Sequence, residues 1–343
     1  MLGPTGKKSN NLILVILFVS LILLVLVSFT LGRYQVSVAD VIKSLMTMLT
    51  GSDTDLTDIT VSIVTKIRLP RIIACVIAGA ALSVSGTSYQ GIFQNPMVSP
   101  DVLGATAGAG FGAALGILLS FSGIGIQLTS FVFGLLAVSI TYLISKAVGQ
   151  RENATLVLVL SGMVIAALFS AFVSIIKYIA DPYSKLPEIT FWLMGSMSTV
   201  TISDIGMVLI PIIIATTILL AVRWRLNVLV FGDEEAVAMG VHTRRLRLVV
   251  IICSTVLTSS VVAISGQLGW VGLVIPHFSR MIVGPNYKHL LPAALFIGGI
   301  YLLIVDNLAR NIFPVEIPLG ILTAIVGAPC FIILLLRGKR GWC

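Results

Sequence analysis

Ionisable residues inside long apolar segments are the first candidates for chemistry in this sequence. A titratable side chain at membrane depth is costly, so it commonly marks an ion path, a proton relay or a binding site. The main candidates are His277 and Asp306, the latter close to the end of its apolar segment. His277 could ligate haem or relay protons, but packing or hydrogen bonding is the simpler interpretation. So few ionisable groups argue against transport coupled to an ion gradient.

Motifs for nucleotide binding and hydrolysis are missing. The pairs Gly6-Lys7 and Gly338-Lys339 lack the upstream glycine and the following Ser or Thr of a phosphate-binding loop. No HExxH, GxSxG or paired carboxylates occur in the apolar segments, and the four cysteines lack metal-binding spacing. The sequence therefore indicates no catalytic residue, no metal site and no cofactor bound by this chain. Energy for any transport must come from a partner or an ion gradient.

The composition is that of a membrane protein. Of 343 residues, 57% are hydrophobic and only 10% charged, whereas a soluble domain has about 25% charged residues. The net charge is +8, but no basic cluster is interleaved with aromatic residues, so we expect no nucleic-acid partner. The charge-free run 12–31 follows Lys7 and Lys8 and is too long for a signal peptide. We expect it to be an uncleaved first span.

The apolar segments predict an all-α integral membrane protein with one domain, 1–343. About 20 apolar residues cross a bilayer as a helix. This length predicts ten spans, at 12–31, 70–90, 101–120, 127–146, 154–176, 200–222, 247–265, 270–284, 290–308 and 318–336. Pro276 interrupts the short eighth span, so nine or eleven spans are alternatives. Two hydrophilic segments remain: 32–67, in which Val38–Leu49 has the spacing of an interfacial helix, and 223–247.

The distribution of basic residues predicts the orientation. With both termini on one side, 14 Lys and Arg and five acidic residues fall on that side, a net of +9. The other side has eight basic and nine acidic residues, a net of −1. Because cytoplasmic loops carry the excess of Lys and Arg, both termini and the segment 223–247 are predicted to be cytoplasmic. The segment 32–67 is then outside.

An internal repeat is suggested by three coincidences at an offset of 180 residues. Ser85-Gly86, Pro96 and Gly104 recur as Ser265-Gly266, Pro276 and Gly284. Because the second and seventh spans run in opposite directions in this topology, the repeat would be inverted, a design common in transporters.

Six motifs then follow one another along the chain. They are Arg68-Leu-Pro-Arg71 with Gly79-Ala-Ala-Leu-Ser-Val-Ser-Gly86; Gln90, Asn95-Pro96, Pro100 and Leu103-Gly104; Phe231-Gly-Asp-Glu-Glu-Ala-Val-Ala-Met-Gly240-Val; Gly269-Trp-Val-Gly-Leu-Val-Ile-Pro-His277-Phe-Ser-Arg280; Asp306-Asn-Leu-Ala-Arg310; and Glu316-Ile-Pro-Leu-Gly320 continuing to Gly327-Ala-Pro329. In this order they resemble the iron-chelate, haem and cobalamin permease family of type II ATP-binding-cassette (ABC) importers. The resemblance covers about residues 30 to 337.

This resemblance implies a fold, partners and a substrate class. Such permeases have ten spans and form a homodimer in the cytoplasmic membrane of a prokaryote, with the pathway on the two-fold axis. Two cytoplasmic ATPase subunits bind ATP and Mg, and an extracytoplasmic binding protein delivers a metal chelate. Iron-siderophore is the first choice of substrate, with haem and cobalamin next. The membrane lipid is the remaining partner.

The resemblance also implies roles for three groups of residues. The cytoplasmic segment contains a coupling helix that enters a cleft of the ATPase, carried over to Gly232, Asp233, Glu234, Glu235, Ala236, Gly240 and Val241. The cytoplasmic gate corresponds to Asn95 and Met97 after the second span, and to Thr155 and Leu156 in the fifth. Leu156 departs from the small polar residue expected there. Arginines that dock the binding protein correspond to Arg68, Arg71 and Arg310.

Each group also has a simpler interpretation. The acidic residues after Gly232 fit the first turn of any short solvated helix. Asn95-Pro96 predicts a break between helices, because proline removes an amide donor and restricts the residue before it. Arginines near span ends can reach the interface and anchor a helix there. Two other functions are weighed against the importer: a gradient-driven secondary transporter, and an integral membrane enzyme, which would need an acidic or His cluster at the interface.

Overall fold

The computed structural model describes residues 4–51, 56–148, 154–312 and 315–337. Within these residues the chain forms fourteen α-helices and no strand. In chain order they are α1 (Pro4–Thr30), α2 (Val38–Thr50), α3 (Asp58–Ser62), α4 (Leu69–Phe93), α5 (Ala105–Leu118), α6 (Gly123–Val148), α7 (Ala154–Ile179), α8 (Lys185–Leu193), α9 (Ile202–Leu229), α10 (Asp233–Ala238), α11 (Thr243–Ser265), α12 (Val271–Val283), α13 (Tyr287–Asn311) and α14 (Leu319–Arg337).

Ten of these helices coincide with the ten predicted spans. Seven stretches of helix in the described residues are long and apolar enough to cross a membrane. Six of them lie in α1, α6, α7, α9, α11 and α13, and the seventh runs from α3 to the end of α4. The other three predicted spans correspond to the shorter apolar helices α5, α12 and α14. The all-helical membrane fold is therefore confirmed, whereas ten full crossings stay a prediction.

The hydrophilic segments contain more helix than the sequence predicts. The helix predicted at Val38–Leu49 is present as α2, which Ser37 caps by accepting a hydrogen bond from the Asp40 amide. Its position at the membrane interface stays a prediction. The short helix α3 continues through a π-helical segment, Ile63–Arg68, directly into α4. Helix α8 lies between the fifth and sixth predicted spans, where the sequence analysis assigns no helix. Pro276 lies inside α12 without ending it.

Helix α4 lies at the centre of the bundle and packs against α9, α11, α12 and α13. Glycines permit its closest contacts, because a Cβ on Gly79 would lie 2.1 Å from the Gly298 carbonyl oxygen and one on Gly86 would lie 1.8 Å from that of Gly272. Close packing through glycines also occurs at Gly108 and Gly112, which face α6. By contrast α1 is mostly exposed along its length.

Irregular backbone in the centre of the bundle is stabilised by hydrogen bonds between loops. The Ser196 amide donates to the Ser265 carbonyl at 2.8 Å, and the Leu319 amide donates to the Gly195 carbonyl at 2.8 Å. Buried loops of this kind must satisfy their polar groups internally, because lipid offers no hydrogen bonds. These bonds connect the end of α11 and the start of α14 to the segment after α8.

The residues that suggested the repeat do not occupy equivalent positions. Ser85 and Gly86 lie in the middle of α4, whereas Ser265 ends α11. Pro96 lies in a turn and Pro276 inside a helix. The order of helix lengths is the better indication, since long α4 precedes short α5 and long α11 precedes short α12. The inverted repeat stays a prediction.

Two ends of the bundle are named from here on. The arginine end is the end that contains Arg68, Arg71 and Arg310. The α10 end contains α10 together with the turn that follows α4. Helix α4 separates them: it starts beside Arg68 and has 25 residues, a length of about 37 Å at 1.5 Å per residue.

Candidate functional site

At the arginine end, Arg71 lies between two carboxylates. Its Nε donates to Asp306 Oδ1 at 2.8 Å, and a terminal nitrogen donates to both oxygens of Glu316, at 3.0 and 2.9 Å. Arg71 is 5% exposed and the Asp306 side chain is fully buried. Arg71 therefore joins the start of α4 to α13 and to the segment before α14.

The same aspartate also faces Arg310, one helical turn further along α13. Arg310 Nε lies 3.0 Å from Asp306 Oδ2, an ion pair that lacks the geometry of a hydrogen bond. A terminal nitrogen of Arg310 donates to Ser28 Oγ on α1 at 3.1 Å, and Ser28 donates to Asn307 Oδ1 at 2.8 Å. This network connects α1 to α13.

Arg68 completes the group through backbone contacts. Its guanidinium donates to the carbonyl oxygens of Phe29, at the end of α1, and of Tyr34. Phe29 follows Ser28, so Arg68 and Arg310 bond to consecutive residues of α1. The position of Arg68 depends on the π-helical segment, of which it is the last residue.

The three arginines predicted to dock a binding protein are thus brought together, but inside the protein. They are 4%, 5% and 7% exposed, and each is bonded to groups of this chain. This burial favours the structural interpretation, and the docking role stays a prediction. The sequence identifies Asp306 as an ionisable residue but does not predict it as their partner, although residues four apart on a helix, such as Asp306 and Arg310, can form an ion pair.

The first predicted gate position is a turn, as the Asn95-Pro96 pair indicates. Helix α4 ends at Phe93, and the Asn95 side chain accepts a hydrogen bond from the Met97 amide at 2.9 Å. Both residues are exposed, Met97 by 51%. The chain then forms a 3-10 turn, Pro100–Leu103, against which α7 packs.

The second predicted gate position lies at the start of α7. Leu156 is exposed there by 54%, and the side chain of Thr155 lies outside the described residues. Because α7 packs against the 3-10 turn that follows Met97, the two positions belong to neighbouring elements. Their joint role as a gate stays a prediction.

The predicted coupling segment forms the short helix α10. Gly232 and Gly240 flank it with φ angles of 107° and 80°, which favour glycine. Ala236 and Val241 are buried against the bundle, whereas Asp233, Glu234 and Glu235 are exposed. These residues all lie in one small structure at the α10 end.

The outer surface of α10 and its neighbours is apolar as well as acidic. Phe231, Val237 and Met239 are exposed by 67%, 60% and 49%. One of the acidic residues, Asp233, forms an exposed ion pair with Arg247 of α11 at 2.9 Å. Exposed apolar residues beside charged ones are typical of a surface that binds another protein.

A cavity of about 660 Å³ lies between the starts of α5 and α14, α7 and the loop before α12. Its walls are mostly apolar, with a few polar groups from Asp101, Thr106, Ser170 and Gln267. The Thr106 hydroxyl donates to the Asp101 carboxylate. Sequence reasoning missed Asp101, which begins the third predicted span. In the described residues no three His, Cys, Asp or Glu side chains are grouped as metal ligands would be.

Comparison with known proteins decides the family. Residues 20–337 match the model of the FecCD transport family. This chain belongs to that family. The match confirms the resemblance that the motifs indicated, and it favours an ABC importer over a secondary transporter.

Relatives of this FecCD permease carry different substrates. The molybdate import system permease protein of Haemophilus influenzae is 42% identical over 321 residues, 94% of each chain. The hemin transport system permease protein of Yersinia pestis is 35% identical over 342 residues, 98% of each chain. A solved structure described as an inward-facing conformation of a metal-chelate type ABC transporter is 40% identical, with a TM-score of 0.84 over 95% of this chain and 99% of the other.

This FecCD permease is accordingly a membrane subunit of an ABC importer. It is a multipass protein of the cytoplasmic membrane. Permeases of this kind work with ATPase subunits and a binding protein.

Proposed function

We propose that this chain is the permease subunit of an importer that moves a metal chelate into the cytoplasm. Two copies form the pathway between them, and two ATPase subunits that bind ATP and Mg supply the energy. A binding protein delivers the substrate from outside, and both termini face the cytoplasm. The ATP hydrolysis is assigned to the partner subunits.

One observation carries this proposal furthest: α10 is a separate helix with a buried side and an exposed acidic and apolar side. Ala236 anchors it, while Val237 and Met239 are left on the surface. Because α10 contacts both α9 and α11, a displacement of this short helix can be transmitted to both long helices. This suits a permease that is driven by an ATPase bound at the α10 end.

The test is reconstitution of the purified complex in proteoliposomes. The ATPase subunits should co-purify with this chain, and uptake should require ATP inside and the binding protein outside. Uptake driven by an ion gradient without ATP would contradict the proposal.

The substrate we propose first is an iron-siderophore, with haem and cobalamin next. The similarity to a metal-chelate type transporter supports a chelate. Molybdate is the alternative to a metal chelate, because a molybdate permease is 42% identical over 94% of the chain. Binding of each solute to the cognate binding protein, followed by uptake, separates the two. Uptake of molybdate alone would replace the chelate assignment.

We propose that Asn95, Met97, Thr155 and Leu156 form the cytoplasmic gate. Support comes from the exposed turn after α4 and from the contact of α7 with the chain that follows it. Cysteines at positions 95 and 97 should cross-link between protomers in one nucleotide state and not in the other. Labelling that does not depend on nucleotide would count against a gate.

We also propose that the binding protein docks at the arginine end through Arg68, Arg71 and Arg310. Because the three are already bonded, a partner carboxylate would reach Arg71 by replacing Glu316, whose side chain is 40% exposed. Arginine suits this exchange, since it forms bidentate bonds with carboxylates. The variant Glu316→Gln should then strengthen docking at low salt. Unchanged affinity would leave the arginines with a structural role alone.

A further inference from the structure

The last carbonyl of α9 accepts two hydrogen bonds from different parts of the α10 end. One comes from the Gly232 amide, at 3.1 Å, which precedes the first residue of α10. The other comes from the side-chain amide of Gln94. Both reach the oxygen of Leu229, a fully buried residue. A single backbone oxygen therefore joins the end of α4, the end of α9 and the segment that leads into α10.

Gln94 is held in an unusual conformation at this joint. It ends α4 in the left-handed region, with φ 49° and ψ 31°. Glycine and asparagine adopt this region at little cost, whereas glutamine does not favour it. A longer side chain at a position that suits Asn or Gly points to a use for its length. Here that length carries the amide to Leu229.

The hydrogen bond between Gln94 and Leu229 lies between the turn at Asn95 and the contacts that α9 and α10 make with the rest of the bundle. Asn95 follows at once and forms the turn to Met97 through its bond with the Met97 amide. Two further contacts connect α9 and α10 to neighbouring helices. Asn227 of α9 accepts from the Tyr287 amide at 2.8 Å, which connects α9 to α13, and Asp233 pairs with Arg247.

We propose that Gln94 is a positioning residue that couples α10 to the turn at Asn95 and Met97. The inference rests on the proposed function, in which α10 receives the ATPase motion and the turn narrows the pathway. A displacement of α10 pulls on the Leu229 carbonyl through Gly232, and Gln94 transfers it to the turn. The sequence motifs do not include Gln94, because its role depends on a hydrogen bond to a carbonyl 135 positions away.

Substitutions at position 94 separate this role from simple helix capping. Gln94→Met keeps the length but has no donor, and Gln94→Glu presents a carboxylate that repels the carbonyl. Gln94→Lys supplies a donor at comparable reach. Gln94→Asn suits the left-handed region but is one carbon too short. If Gln94 couples the two elements, Gln94→Lys should transport more substrate per ATP than Gln94→Asn. If it only caps α4, Gln94→Asn should transport more than Gln94→Lys.

The experiment measures substrate transported per ATP hydrolysed, in proteoliposomes that contain the complete importer and binding protein. Gln94→Met, Gln94→Glu and Gln94→Asn should each lower this ratio about fivefold. This is the factor by which one typical hydrogen bond, of about 1 kcal/mol, changes an equilibrium. ATPase activity stimulated by the binding protein should persist, and Gln94→Lys should stay near wild type. The thermal unfolding temperature of each variant controls for loss of fold.

Two results would overturn the inference while leaving the proposed function intact. One is a normal ratio in Gln94→Met. The other is the order expected for capping, in which Gln94→Asn transports nearly as much substrate per ATP as wild type and Gln94→Lys transports less. If the wild-type complex shows no ATP-dependent uptake, it is instead the proposed function that fails.

Discussion

At the scale of single residues, Asp306 is the group on which the arginine end depends. It faces Arg71 and Arg310, and its side chain is fully buried. Glu316 is the second carboxylate of the group but lies partly in solvent. A buried charge left without its partner is strongly destabilising, whereas an exposed pair contributes little.

We therefore expect unequal effects from two similar substitutions. Asp306→Asn leaves two buried guanidinium groups with one carboxylate, and should lower the free energy of unfolding by about 3–5 kcal/mol. Glu316→Gln, at a side chain that is 40% exposed, should cost less than about 1 kcal/mol. Thermal unfolding in detergent checks the order. Equal losses would mean that burial does not decide the energetics here.

At the scale of elements, α10 offers an exposed side that can be changed without touching the bundle. Val237 is 60% exposed on it, whereas Ala236 beside it is fully buried. Val237→Asp should weaken association of the ATPase about tenfold, because a charge replaces an apolar contact residue at an interface. Tyr183→Asp is the matched control, since Tyr183 is 94% exposed outside α10. Co-purification measures both, and equal recovery of the ATPase would contradict an interface at α10.

Gly240 sets the direction of the chain after α10. Its φ is 80°, and nothing lies within 4 Å of a Cβ added there. Gly240→Val is therefore strained by about 1–2 kcal/mol without any clash, and should lower transport per ATP while the bundle stays folded. Gly240→Asn tolerates this conformation and should behave almost as wild type. If both variants transport normally, the angle after α10 is not important for coupling.

At the scale of the whole molecule, glycines set how closely the helices pack around α4. Gly86→Ala would place a Cβ 1.8 Å from the Gly272 carbonyl oxygen, whereas Gly206→Ala meets nothing within 4 Å. Overpacking of this kind typically costs about 1–3 kcal/mol. We expect Gly86→Ala to lower the unfolding temperature and the yield of folded protein, and Gly206→Ala to change neither. Similar temperatures for the two would show that α4 and α12 can move apart.

The sequence predicted the features of this molecule that depend on local pattern. Hydropathy located the ten apolar helices, Asn95-Pro96 indicated a turn, and the acidic run after Gly232 indicated a short helix. It failed where the outcome depends on distant partners. The burial of Arg71 follows from carboxylates 235 and 245 positions away, and the role of Gln94 follows from a carbonyl 135 positions away. Neither separation leaves a periodic signal.

Those separations also fix the order in which the protein can be completed during synthesis. Arg71 leaves the ribosome early, but its partners Asp306 and Glu316 follow more than 230 residues later, and the Asn307 partner of Ser28 follows 279 positions after that serine. Until then the Arg71 guanidinium belongs to a nascent helix without its counter-charges. At the ordinary elongation rate of about 5–20 residues per second this interval is more than about ten seconds. The ion pairs of the arginine end therefore form only after most of the bundle has been synthesised.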